Sequence, residues 1–239
     1  MSCRNSTHFP LNKAGGCFLG FLLSALLIMP FDALISRYAY YDWVGNDTVV
    51  RMFLERSEPF GHGIGIAWIV IAIFILDPNH RKACLSLTTT ALCAGGIANI
   101  IKLFVCRARP REFDFNTNPL FVGFKDWSPD QVFRSAELSF PSAHTTTAVA
   151  LTVFLSTMYP RGRWLFTILA IVVGLQRIHG GSHFPSDILV GAGLGCFVGH
   201  ICVGLAHRYR YLPFGSVECQ GISHTNTLRQ EVSAQKPYK

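Results

Sequence analysis

Lys102 and Arg109, in the stretch KLFVCRARP, are seven residues apart. On a helix that is two turns, so both cations share one face. A lysine within an apolar segment is costly unless it has a partner. Alone, Lys102 reads as a snorkelling side chain and Arg109 as a topological anchor. Two further stretches shift that reading toward an anion. In PSAH, Pro141 suits the first turn of a helix, and Ser142 adds a hydroxyl where free N–H groups and the positive dipole end hold anions. His144 stands one turn in, where it could protonate a departing oxygen. In RIHGGSHFPSD, His183 and Asp187 are four residues apart across a second helix start. A carboxylate there could fix the tautomer of the imidazole and leave the other nitrogen as a nucleophile. The bland alternative is a His–Asp pair that only caps a helix. Arg177 precedes the Gly180-Gly181 turn and can reach the same phosphate as the other cations. Metal binding is the weaker rival, because no third close ligand is apparent.

Apolar segments must position these groups. Half of the 239 residues are hydrophobic and only 15% are charged. Soluble domains carry closer to about a quarter charged residues. The expected fold is all-α, a polytopic membrane protein with six transmembrane helices in one bundle. The spans are expected at residues 17–36, 61–76, 83–106, 143–159, 164–178 and 187–206, most of them near the roughly 20 residues a crossing needs. Residues 1–16 form an N-terminal segment, 17–206 the six-span domain and 207–239 a polar tail. The first span is read as retained, since its apolar run is too long for a signal-peptide core. The net charge of +7 sits largely at the ends of apolar runs, which favours lipid headgroups over nucleic acid. Arg81, Lys82, Arg161 and Arg163 fill two short loops on one side, with Arg4, Lys13, Arg208 and Arg210. The positive-inside rule makes that side cytoplasmic, with both termini inside and the active site at the outer face of the bundle. Lys102, Arg109, His144, Arg177, His183 and Asp187 then emerge together at that face.

In this order and spacing, K-x6-RP, PSxH and R-x5-H-x3-D resemble the motifs of the type 2 phosphatidic acid phosphatase superfamily, in its bacterial integral-membrane branch. The match covers about residues 102–187, and three motifs in sequence are specific where one would be weak. The resemblance implies that Lys102, Arg109 and Arg177 grip the phosphoryl oxygens while Ser142 adds a hydrogen bond. It implies that His183 attacks phosphorus to form a phosphohistidine, that Asp187 orients it and that His144 protonates the leaving group. No metal or other cofactor is implied. Two positions depart from the family pattern. Gln176 stands where the family has Ser, which leaves its contact open, and Ala143 stands where it has Gly. The related haloperoxidases are soluble, and this chain does not read as soluble.

The implied activity is hydrolysis of a membrane lipid phosphate monoester or pyrophosphate. The alternatives are a lipid-to-lipid phosphotransferase with the same intermediate, and a non-catalytic binder or transporter of anionic lipid. Binding alone would need only the cations, whereas His144, His183 and Asp187 are all present. The expected location is a bacterial inner membrane. Candidate substrates are lipid A phosphate, undecaprenyl pyrophosphate, phosphatidylglycerophosphate and phosphatidate. The basic 107–142 loop, with Arg107, Arg111, Lys125 and Arg134, tilts toward a large anionic headgroup such as lipid A or is simply solvated. Gly191, Gly195 and Gly199 recur at every fourth residue and permit close helix approach within the bundle or between two copies. Asp32 is expected near the outer interface, and Asn99 could support Lys102. The eight cysteines form no zinc spacing, five lie within or at the ends of apolar runs, and no disulfide framework is expected.

Overall fold

A computed structural model describes residues 11–42, 52, 54, 58–105, 107–112, 138–209 and 211–212. Its elements are helices: α1 (Leu11–Ile28), α2 (Asp32–Arg37), α3 (Gly63–Leu76), α4 (Arg81–Phe104), α5 (Ala143–Met158), α6 (Arg163–His179) and α7 (Pro185–Arg208). Among the described residues there is no strand, only an isolated antiparallel bridge between Ala108 and Leu138. Three segments are long and apolar enough to cross a membrane: Ala14–Tyr40, Pro78–Phe104 and Pro185–Arg208. Gly63–Leu76 is apolar but shorter. Lys125, Arg134, Cys3, Cys219 and most of the expected tail lie outside the described residues.

The helix boundaries follow local chemistry. The expected first span does not run unbroken to Ser36. Pro30 sits in a 3-10 turn, Met29–Phe31, that divides α1 from α2 and turns Asp32 into the protein, where it is fully buried. Proline lacks the N–H that would continue the ladder. The last helix starts at Pro185 rather than Asp187. Proline fits the first turn, and the Asp187 carboxylate reaches back to the Phe184 N–H at 2.9 Å.

The glycines at every fourth residue face α5. A methyl group at Gly191 would lie 2.8 Å from the Ser142 carbonyl oxygen, and one at Gly199 would lie 3.0 Å from that of Ala150. Their absence lets the α7 backbone press against α5, so the glycine face is an internal seam here. The core beside it holds Leu87, Leu151, Phe154 and Val173 with no exposed surface. Outward-facing side chains on α3, such as Ile64, Trp68 and Leu76, are apolar and more than 60% exposed. Water would penalise so much contiguous apolar surface, and hydrocarbon would not.

One expectation is overturned. Cys17 of α1 and Cys196 of α7 form a disulfide, while Cys84, Cys93 and Cys202 are free. The two sulfurs are separated by 179 residues of sequence. Only the packing of α1 along α7 brings them together, and spacing carries no sign of it.

The two short basic loops lie together at one end. Asp77 binds the His80 ring at 2.7 Å and the Tyr159 hydroxyl donates to it at 3.0 Å. The His80 contact is the main reason the Asp77 carboxyl stays below its ordinary value. This clasp fixes the 77–81 loop to the far end of α5. The opposite end of the helices carries the site.

Candidate active site

Each stretch singled out in the sequence ends or begins a helix here. Lys102 is in the last turn of α4 and only 5% exposed. Arg109 follows in the segment after that helix. Ser142 is the N-cap of α5: its hydroxyl accepts from the Thr145 N–H at 3.4 Å and from the Thr145 hydroxyl at 3.0 Å. His144 lies two residues on, in the first turn. Arg177 is in the last turn of α6, Asp187 in the first turn of α7 and His183 in the turn between them.

Backbone bonds knit these ends together. The N–H groups of Ser182 and His183 both donate to the Arg177 carbonyl, at 3.1 and 3.2 Å. The Ser142 N–H donates to the Asp187 carbonyl at 3.2 Å, and the Arg111 N–H to the Gly181 carbonyl at 3.0 Å. Gly181 has φ +60°, where a side chain would be strained and would also strike the Tyr40 ring. The tight Gly180-Gly181 reversal thereby returns His183 beside Arg177.

His183 is 2% exposed, and its Nδ1 lies 2.6 Å from the Ser139 carbonyl oxygen. A carbonyl can only accept, so Nδ1 carries the hydrogen and the lone pair of the neutral ring is on Nε2. Asp187 is the next neighbour of Nδ1, at 3.9 Å, beyond hydrogen-bond range. The bond expected from the four-residue spacing is thus made by a backbone carbonyl. Burial drives the His183 pKa well below its ordinary 6.5, and the charges of Lys102, Arg109 and Arg177 drive it further in the same direction. All three cations thus lie near enough for their charges to act on the one ring. Gln176, whose partner the sequence left open, accepts from Arg177 Nε at 2.5 Å and so holds that guanidinium from behind.

Three residues at this end were not assigned to the site from the sequence. Arg107 is buried: it donates to Asp187 Oδ1 at 2.6 Å, Ser186 Oγ at 2.8 Å and Asp32 Oδ2 at 2.7 Å. Its side chain is not that of a solvated basic loop, and Asp32 faces the protein interior beside it. His62 caps α3, and its ring stacks on His144 with centroids 6.0 Å apart and planes inclined by 28°. Nothing in its flanking residues distinguishes it from an ordinary helix start.

Beside the site a cleft of about 650 Å³ opens between α3 and α4. Gly61, Asn99 and Thr147 line its site end, and Val70 and Thr88 lie deeper. Its surface is mostly apolar, with Gly63, Gly95 and Gly96 along the walls. Among the described residues, no group of three or more His, Cys, Asp or Glu side chains is arranged to hold a metal ion.

The described residues form a helical bundle with apolar flanks, with a buried histidine at one end and an apolar cleft beside it. Residues 79–211, more than half of the chain and including all three motifs, match the PAP2 superfamily, and the chain belongs to it. The chain is 36% identical over 110 residues to a lipid A 1-phosphatase of Rhizobium etli, covering 46% of this chain and 44% of that protein. It is 36% identical over 140 residues to a decaprenylphosphoryl-5-phosphoribose phosphatase of Mycobacterium tuberculosis, covering 57% and 70%. The match thus spans less than half the length of the lipid A 1-phosphatases. Two solved structures share the fold. A PAP2 type phosphatidylglycerolphosphate phosphatase from Bacillus subtilis superposes with a TM-score of 0.60 at 20% identity, over 82% of this chain and 96% of that one. Aquifex aeolicus LpxE superposes with 0.53 at 22% identity, over 72% and 94%.

Proposed function

We propose that this chain is an integral-membrane phosphatase that hydrolyses a phosphate monoester or pyrophosphate of a membrane lipid through a phosphohistidine on His183. The observation that carries this reading is the His183 ring. Its Nδ1–H is committed to the Ser139 carbonyl, so Nε2 presents a lone pair amid three cations. In the first step Nε2 bonds to phosphorus as the bond to the lipid oxygen breaks, and His144 protonates that oxygen. In the second step His144 takes a proton from water, whose oxygen displaces the histidine and releases phosphate. Lys102, Arg109 and Arg177 hold the equatorial oxygens throughout, and the α5 N-terminus with Ser142 adds donors. The cations supply the charge stabilisation, so turnover is expected to persist in EDTA. Complete dependence on added metal would overturn that part.

The cleft supports the lipid assignment. Gly61, which lines it, lies against the His144 backbone, and the cleft runs between two helices whose outer faces are apolar, so a hydrocarbon chain can lie in it while the phosphate sits among the cations. Gly96 has no atom within 4 Å of where a Cβ would be, so a larger side chain fits there without displacing the backbone. Gly96→Phe should fill the cleft and raise KM for a long-chain lipid phosphate by about tenfold, a cost in line with forcing a chain into an overfilled site. Cleavage of water-soluble p-nitrophenyl phosphate should be unchanged. Equal loss on both substrates would remove the cleft from the reading. The candidate lipids are lipid A phosphate, undecaprenyl pyrophosphate, phosphatidylglycerophosphate and phosphatidate, and a side-by-side assay of these four chooses among them. Two of these lipid classes are named in relatives, as lipid A phosphatases and an undecaprenyl-diphosphatase.

The topology proposed is six spans within residues 17–206, both termini cytoplasmic and the site at the outer face of an inner membrane. The basic loops at the Asp77–Tyr159 end support that orientation. Cysteine accessibility at the 161–163 loop tests it: labelling only after permeabilisation fits, and labelling of intact cells does not.

The pH dependence follows from the histidine. Its lowered pKa keeps His183 neutral and nucleophilic as pH falls through 6.5. With substrate ionisation divided out, the acid limb of kcat/KM should lie below pH 6.5, because that parameter reports the free enzyme. Bound phosphate offsets the three cations, so the corresponding limb of kcat should lie higher. An acid limb of kcat/KM above 6.5 would contradict the assignment.

A further inference from the structure

We propose that Asp32 and Arg107 are positioning residues for the reaction at His183, an inference that rests on the functional reading above. The structural basis is a closed, buried network in which both side chains are engaged by protein partners. Arg107 Nη1 donates to Asp187 and Ser186, and Nη2 donates to Asp32. Asp32 also accepts from the Ser186 N–H at 3.0 Å and from the Ser186 hydroxyl. Asp32, Ser186 and Asp187 have no exposed surface, and Arg107 is 5% exposed. The guanidinium carbon lies 4.1 Å from the centre of the Phe184 ring, the residue between His183 and Pro185.

Two consequences converge on the His183 ring. Through its side chain, Arg107 holds Asp187, whose second oxygen takes the Phe184 N–H and so shapes the turn that carries His183. Through its backbone, the same residue holds Ser139: the Ser139 N–H donates to the Arg107 carbonyl at 2.8 Å. The Ser139 carbonyl is the group that accepts from His183 Nδ1. One residue therefore fixes both the turn beneath the imidazole and the acceptor that selects its tautomer.

Asp32 makes this arrangement possible. It caps the start of α7 from another helix by accepting the Ser186 N–H, one of the donors that a helix start leaves without an intrahelical partner. A buried Arg107 would otherwise meet Asp187 alone, and an incompletely paired buried charge network is unstable. Pro30 and the 3-10 turn aim Asp32 inward. The family match begins at residue 79, so this acid comes from outside the region that defines the family.

The test uses the full chain in mixed micelles with phosphatidate as substrate and inorganic phosphate as competitive inhibitor. Asp32→Asn keeps the size and removes the charge. Its kcat should fall by about tenfold to a hundredfold, while KM and the phosphate inhibition constant stay within about twofold, because the three phosphate cations are untouched. Arg107→Lys, which cannot bridge two carboxylates, should fall further in kcat with the same split. Retained kcat in both variants overturns the proposal. A loss that appears in KM or in the phosphate constant also overturns it, because the network would then be holding the cation cradle rather than the histidine. Should Asp32→Asn fail to fold, Ser186→Ala decides: it removes only the central hydroxyl and should lower kcat by a few-fold at constant KM. His183→Asn is the control for the underlying reading. If that variant retains turnover, the phosphohistidine assignment has failed. If it is inactive while Asp32→Asn is normal, only the positioning role has failed.

Discussion

His183→Asn should be folded and inactive. The asparagine amide nitrogen can take the place of Nδ1 and keep the bond to the Ser139 carbonyl, so the turn has no reason to open. The amide has no nucleophilic nitrogen with which to attack phosphorus. Loss of a nucleophile that works as a unit with its neighbours costs turnover by about 10⁴-fold or more. The check is phosphate release from a lipid phosphate labelled in its phosphoryl group, together with trapping of labelled protein in alkaline detergent. Wild type should show a labelled, acid-labile phosphoprotein and the variant none. Turnover within about tenfold of wild type would mean that another group attacks, given the scale of such losses.

The second large effect is expected at Lys102. As a snorkelling side chain it would reach the polar surface, and its replacement would cost little. At 5% exposure it reaches no such surface, and its charge acts on His183. Lys102→Met retains the stem and removes the ammonium. An enclosed cation aimed at developing phosphoryl charge is worth about 10²–10³ in rate, as for a single oxyanion donor. The expected loss is of that size in kcat/KM, with a weaker inhibition constant for inorganic phosphate. A change below about threefold would return Lys102 to the role of an anchor, since an exposed charge contributes little.

Much of the site was legible because its parts announce themselves locally. Pro141 and Ser142 mark a helix start, the Gly180-Gly181 pair marks a reversal, and cations at the ends of apolar runs stand out against their surroundings. The remainder was hidden for physical reasons. The acceptor for His183 is a backbone carbonyl, and every residue has one, so Ser139 carried no signal. The His183–Asp187 spacing pointed to a direct bond because four residues make one helical turn. His183 lies before the helix, however, where that geometry does not apply. Arg107 was lost among the charges of its loop, although it is two residues from Arg109 and opposite in role. Its partner Asp32 is 75 residues away in sequence, and the disulfide partners are 179 apart. Contacts at such separations are set by packing, which periodicity cannot show. The first span was legible from its apolar run, but the 3-10 turn at Pro30 within it, which precedes the buried Asp32, was not.

The opening between α3 and α4 bears on what concentration means for this protein under the proposed reading. A substrate that enters sideways between two helices approaches in a plane and never leaves the hydrocarbon. The quantity that saturates the enzyme is then the mole fraction of substrate among the surrounding lipids, not its molarity in the sample. Diluting the membrane with neutral lipid slows the reaction, whereas adding buffer leaves it unchanged. Affinity in such a system is set largely by where the headgroup is held, because the chain exchanges one apolar environment for another and gains little by moving.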